Sequence, residues 1–97
     1  MNEAIRKIAD HYGLNAQLNV ATEELAELIQ AIARFRRVDE NDMLELAIRK
    51  NLVAEEMADV EVMLAQIKYL MEIDERVEAD AKYKIDRQTK RMKKETK

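Results

Sequence analysis

An all-α fold, an antiparallel bundle of four to five helices, is what this sequence predicts, on three observations. Proline is absent and glycine occurs once, at Gly13, whereas strands need turns and turns draw on both. Charged residues make up 38% of the chain and aromatics 4%, which suits helices with one wet face and an aliphatic and Met core. Apolar residues also recur at alternating spacings of three and four, the signature of an amphipathic helix. At 97 residues the chain is sized for one domain, spanning 1–97, with a core too thin to enclose a deep pocket without a second copy.

Residues 2–12 read as a first helix, with Asn2 as cap and Ile5, Ile8 and Ala9 as apolar stripe. Gly13 ends it. A second helix is expected from near Asn15 to about Arg37, with Leu18, Ala21, Leu25, Leu28, Ile32 and Phe35 facing the core. The polar run 38–42 is the clearest connection, and Asn41 or Asp42 is positioned to cap the third helix. A helical pattern resumes through Met71, with a bend or break placed near Lys50–Asn51, where the stripe weakens. Its strong part is Val53, Met57, Val60, Leu64, Ile67 and Met71. Asp74 is the expected cap of a last helix bearing Val77, Ala81, Ile85 and Met92, and the final few residues are expected to fray.

Cysteine is absent, which excludes disulfides, thiolate catalysis and Cys zinc sites and suits a cytoplasmic protein. No apolar run reaches the length of a membrane span, and residues 1–10 lack the apolar core of a signal peptide. Charge is unevenly spread. Residues 1–81 carry 9 Lys/Arg and 18 Asp/Glu, whereas residues 82–97 carry 8 Lys/Arg and 2 Asp/Glu. An acidic body repels a nucleic-acid backbone and suits cations, and a basic tail can attract phosphate.

The acids carry the chemistry. Glu24 and Glu27, and likewise Glu56 and Asp59, stand three apart and so share a helix face. Such pairs are common on ordinary wet surfaces. Here both pairs encroach on apolar stripes: Glu56 neighbours Leu52, Val53 and Val60, and Glu24 neighbours Val20, Ala21 and Leu28. Glu23 and Glu61 lie farther out. Carboxylates directed into one groove raise each other's pKa and call for cations, and Lys and Arg on those faces are too few. Two antiparallel helices can bring both pairs together as a metal site. All-oxygen ligation favours Mg²⁺ or Mn²⁺.

Glu23-Glu24-Leu25-Ala26-Glu27 followed by Glu56-Met57-Ala58-Asp59 resembles the two-part EExxE and ExxD signature of the MazG-like nucleotide pyrophosphohydrolases, all-α NTP pyrophosphatases. Twenty-eight residues separate Glu27 from Glu56, at the long end of the family's gap. His11-Tyr12-Gly13, Gln17, the Glu-Glu-x-Ala-Asp-Val run at 55–60 and the basic last helix add to the likeness, which covers most of the chain. The resemblance implies Mg²⁺-dependent hydrolysis of a (d)NTP to (d)NMP and pyrophosphate by metal-activated water attacking the α-phosphorus. It assigns Glu24, Glu27, Glu56 and Asp59 as metal ligands, Glu23 as the additional catalytic acid, and a homodimer or homotetramer as the assembly.

Lys84, Arg87 and Arg91 fall on one face of the basic helix. They are expected to reach substrate phosphates, while the plainer reading of such residues is solvation and macrodipole pairing at a helix C-terminus. Gln17, with Tyr12 and Asn19, is the candidate lining of a base pocket, although packing and capping account for such residues as readily. His11 reads as a cap or surface residue. The tail has no aromatic platform or docking motif, so nucleic acid is not an expected partner. Two other functions fit the same helices: a non-catalytic helical oligomerisation or interaction module, and a structural oligomer stabilised by metal.

Overall fold

The computed structural model describes residues 2–96, and side chains from residue 3 onward. Four helices follow one another: α1 (Asn2–Tyr12), α2 (Leu14–Arg36), α3 (Met43–Leu70) and α4 (Asp74–Glu95). There is no strand among the described residues. The capping role expected of Asn2 concerns a side chain outside those described, as does Lys97.

Gly13 both ends α1 and begins α2. Its N–H donates to the Ala9 carbonyl at 2.8 Å, its carbonyl accepts from Gln17 N–H at 3.1 Å, and its φ of 84° with ψ of 167° is a conformation open essentially to glycine alone. The connection 37–42 is built by its own acids. Asp39 Oδ1 accepts from Asn41 N–H at 2.8 Å, and Asp42 Oδ1 accepts from Glu45 N–H at 3.1 Å, which makes Asp42 the cap of α3.

Two expectations are corrected. No break occurs near Lys50–Asn51: α3 runs unbroken from Met43 to Leu70, containing neither Gly nor Pro, with Glu45 and Arg49 paired at 2.7 Å just ahead of that point. Asp74 is not the cap of α4. Ile73 holds that position, because Glu72, in the left-handed region at φ 56°, reverses the chain so sharply that the helix restarts at once. Ile73 N–H donates back to the Lys68 carbonyl at 3.0 Å, and Asp74, within the first turn, lies 3.8 Å from Lys68 Nζ.

The α2–α3 antiparallel hairpin is the body of the fold, and α1 packs on both of its helices. Tyr69 of α3 anchors α1 by donating its hydroxyl to the Asp10 carboxylate at 2.9 and 3.0 Å, with the Arg6 guanidinium 5.4 Å from its ring centre. The carboxylate beside it and its own desolvation raise the Tyr69 pKa. Only α3 is approached closely by α4, which has no buried residue.

The faces are also redistributed. Buried between helices are Ile5, Ala9, Ala21, Ala31, Val60 and Met63, with Gln17 and Gln66. Leu18, Leu25 and Ile32, expected in the core, lie with Ile29 on an outer stripe of α2, and Met57 and Leu64 on α3, with Met71 just past its end, are likewise exposed. α2 thus buries small and polar residues, α3 buries Val60 and Met63 with Gln66, and both helices leave apolar residues open to solvent. The radius of gyration is 17.3 Å, against about 12–13 Å for a compact chain of this length. No helix of the described residues is long and apolar enough to cross a membrane.

Candidate metal centre

The inner face of the hairpin carries the acids. Because α2 and α3 run antiparallel, residues that ascend one helix meet residues that descend the other. Glu24 meets Asp59, and Glu27 meets Glu56 one turn nearer the connection. Small neighbours on α2, Ala21 and Ala31, are buried there and admit the facing helix.

Glu24, Glu27 and Glu56 each offer one carboxylate oxygen, and the three oxygens lie within 4.8 Å of one another. Opposed oxygens on one hard divalent ion stand about 4–5 Å apart, so the trio is set for an ion with little rearrangement. Asp59 stands beside Glu24, outside that trio, and lines a cavity of about 140 Å³ with Glu24, Val62 and Met63. Glu23 is exposed and is not one of the trio.

Two oxygens are out of place for ordinary surface acids. Glu24 Oε2 and Glu56 Oε2 are buried and have no hydrogen-bond partner. Burial raises the pKa of both. For Glu24 the charges of Glu27 and Asp59 and close approach to Asp59 add to it. For Glu56 the next causes are close approach to Glu27, then the charges of Glu27 and Asp59. Acid meets acid in both pairs, so neither offers a donor unless one member is protonated. A cation supplies what the orphaned oxygens lack. The residues therefore fit a hard divalent metal, with donor atoms that are all oxygen.

The remaining expected site residues lie elsewhere. Gln17 is in the core, 5% exposed, where its amide is taken by Gln66. Lys84, Arg87 and Arg91 are exposed on α4, which does not closely approach α2. Arg87 stands 5.9 Å from the ring centre of Tyr83 on its own helix. Two residues were passed over: Arg34 and Arg49, which line a cavity of about 290 Å³ together with Glu27 and Glu56. Their sequence signal is register, since Arg34 follows Glu27 by two turns and Arg49 precedes Glu56 by two.

Comparison of the chain with protein-family models, with curated proteins and with solved structures found no match.

Proposed function

We propose that the chain is a Mg²⁺-dependent nucleoside triphosphate pyrophosphohydrolase of the MazG-like kind, releasing pyrophosphate and a nucleoside monophosphate. One observation carries the reading: three carboxylates from two facing helices share a 4.8 Å space, and two of their oxygens are buried without a partner. The EExxE and ExxD pattern on the same residues supports it.

In this reading Glu24, Glu27 and Glu56 hold the ion, Mg²⁺ or Mn²⁺, and Asp59 completes the set from beside Glu24. A bound divalent ion supplies a lowered water pKa and charge neutralisation at the phosphates. The chain's own task is positioning, since phosphoryl chemistry asks for little beyond placement and electrostatic stabilisation. The helices fix the acids, and Val62 and Met63 line the space beside Asp59. Glu23, on the wet side, is assigned an outer role, orienting water.

The functional unit in this reading is a homo-oligomer, a dimer or tetramer. The chain exposes 8179 Å², whereas a compact monomer of 11.4 kDa exposes about 5,800 Å². The excess is of the size that permanent interfaces remove, and the outer stripes of α2 and α3 supply the apolar surface.

The test is turnover of a panel of NTPs and dNTPs with Mg²⁺, followed as pyrophosphate release. Activity on at least one nucleotide, abolished by Glu56→Gln without loss of fold, is the expected result. A folded, Mg²⁺-loaded protein that turns over no nucleotide sinks the proposal.

A further inference from the structure

The groove between α2 and α3 has a charge polarity that metal binding alone does not use. Toward the connecting turn, two turns beyond the Glu27–Glu56 level, stand Arg34 on α2 and Arg49 on α3. The cavity of about 290 Å³ has Glu27 and Glu56 at one end, Arg34 and Arg49 at the other, and Gln30 and Leu52 among its walls. Both arginines also line the next cavity, with Arg37, Val38 and Glu45, so they stand where the two spaces meet.

The two guanidiniums are held differently. Side chains of a helix lean toward its N-terminus. Arg34 therefore leans back along α2 toward Glu27, and it makes no ion pair among the described residues. Arg49 leans away from Glu56 and gives its Nε to Glu45 at 2.7 Å. That contact fixes the side chain while the terminal nitrogens keep donors to give. Two cations border this end of the cavity and repel each other, with Glu45 held by Arg49 and with Glu27 and Glu56 at the other end. An anion lying in the cavity turns that repulsion into attraction on both sides.

We propose that this cavity is a polyphosphate subsite, in which Arg34 and Arg49 take the outer phosphates of a nucleotide whose inner phosphate lies at the carboxylate trio. The inference rests on the metal reading above, and it gives the phosphate-binding role to the hairpin instead of α4. Guanidinium suits the task, since its fork matches phosphate oxygens two at a time. The ligand's polarity is then set within one chain: leaving pyrophosphate toward the turn, nucleoside toward Asp59 and Val62.

Isothermal titration of the full chain with inorganic tripolyphosphate, in Mn²⁺ and again in EDTA, tests this. In Mn²⁺, Arg34→Gln and Arg49→Gln are each expected to weaken tripolyphosphate about tenfold, and the double variant more. Mn²⁺ affinity measured without phosphate should hold or tighten, because a nearby positive charge is gone. Arg76→Gln on α4 removes the same charge and should bind as wild type. Wild-type affinity in a folded Arg34→Gln/Arg49→Gln protein overturns the subsite, as does a loss found only in Lys84→Gln/Arg87→Gln. If wild type fails to bind Mn²⁺, the metal reading falls, and tripolyphosphate binding in EDTA then decides the subsite: arginine-dependent binding keeps it, and none overturns it.

Discussion

Gln17 donates its side-chain amide to Gln66 Oε1 at 2.7 Å, and this is the side-chain hydrogen bond that ties α2 to α3 among the described residues. Gln66 is 2% exposed. The pair lies two turns beyond Glu24 and Asp59 on their respective helices, at the open end of the hairpin and far from the connecting turn. Between these ends the buried α2 residues are Ala21 and Ala31, which offer little to resist rotation. The amide pair thus fixes which face of each helix looks inward, and the acids share that face.

Removing one partner should therefore cost more than removing both. Gln17→Leu leaves the Gln66 oxygen buried without its donor, a loss of about 1–3 kcal/mol, whereas Gln17→Leu/Gln66→Leu replaces the pair with apolar groups and should be close to neutral. Urea unfolding of both single variants and the double variant gives the coupling. Additive effects would mean the bond does not order this end of the hairpin.

The acids make a pH prediction of definite sign. Glu24 and Glu56 have pKa values raised from the ordinary 4.5, so the folded metal-free chain binds more protons than the unfolded chain. Their contribution to stability is fully present below the unfolded value and is lost as pH rises through the raised folded values. Without metal, the melting temperature should fall as pH rises from the ordinary 4.5 through the raised folded values, and Mg²⁺ should restore more at the upper end than at the lower. Calorimetric scans across pH with and without Mg²⁺ check both. A metal-free melting temperature that rises over this range would show that other groups govern it.

Local structure was legible in the sequence wherever a single residue decides it. Gly13 as the break and Asp42 as a cap follow from side-chain chemistry alone, and the acid spacing showed which carboxylates share a face. Partition of the faces was legible only in part: Ile5, Ala9, Ala21 and Val60 are buried as expected. Leu18, Leu25 and Ile32 read as core because periodicity reports an apolar face without saying what covers it. Beside the expected Ala21, α2 buries Gln17 and Ala31, which lie off the apolar stripe that periodicity marks. Arg34 and Arg49 went unnoticed for a related reason: their relation to Glu27 and Glu56 depends on the antiparallel register between helices, which the cross-helix pairing fixes and neither helix shows by itself. Asp74 looked like a cap because nothing in the sequence marks Glu72 as left-handed.

Glu72 gives a stability prediction that does not depend on function. It is the one non-glycine residue with positive φ among those described, at 56°, and it is exposed. An L side chain in this region costs about 1–2 kcal/mol, part of which glycine returns as entropy of the unfolded chain. Glu72→Gly should therefore stabilise by up to about 1 kcal/mol, read as a shift in urea midpoint with unchanged slope. A destabilised variant would mean the Glu72 side chain makes a contact in the assembled protein.

The outer stripe of α2 tests the assembly. Ile29 is 68% exposed, and it lies between Leu25 and Ile32 along the helix. In an isolated chain, Ile29→Glu puts a charge into water on a helix where Glu is well tolerated, and such surface changes shift stability by no more than about 0.5 kcal/mol. In an oligomer built on this stripe, the same change buries an unpaired carboxylate against apolar neighbours, a penalty large enough to dissociate it. The bare chain, with its thin core, should then melt at a lower temperature. Sedimentation velocity of wild type should give a multiple of the chain mass, and Ile29→Glu should move it toward the monomer with a lower melting temperature. Lys90→Glu, at an exposed position on α4, is the control and should leave the mass unchanged. An Ile29→Glu protein with wild-type mass and melting temperature would exclude this stripe from the interface and leave the exposed faces of α3 and α4 as the surfaces to examine.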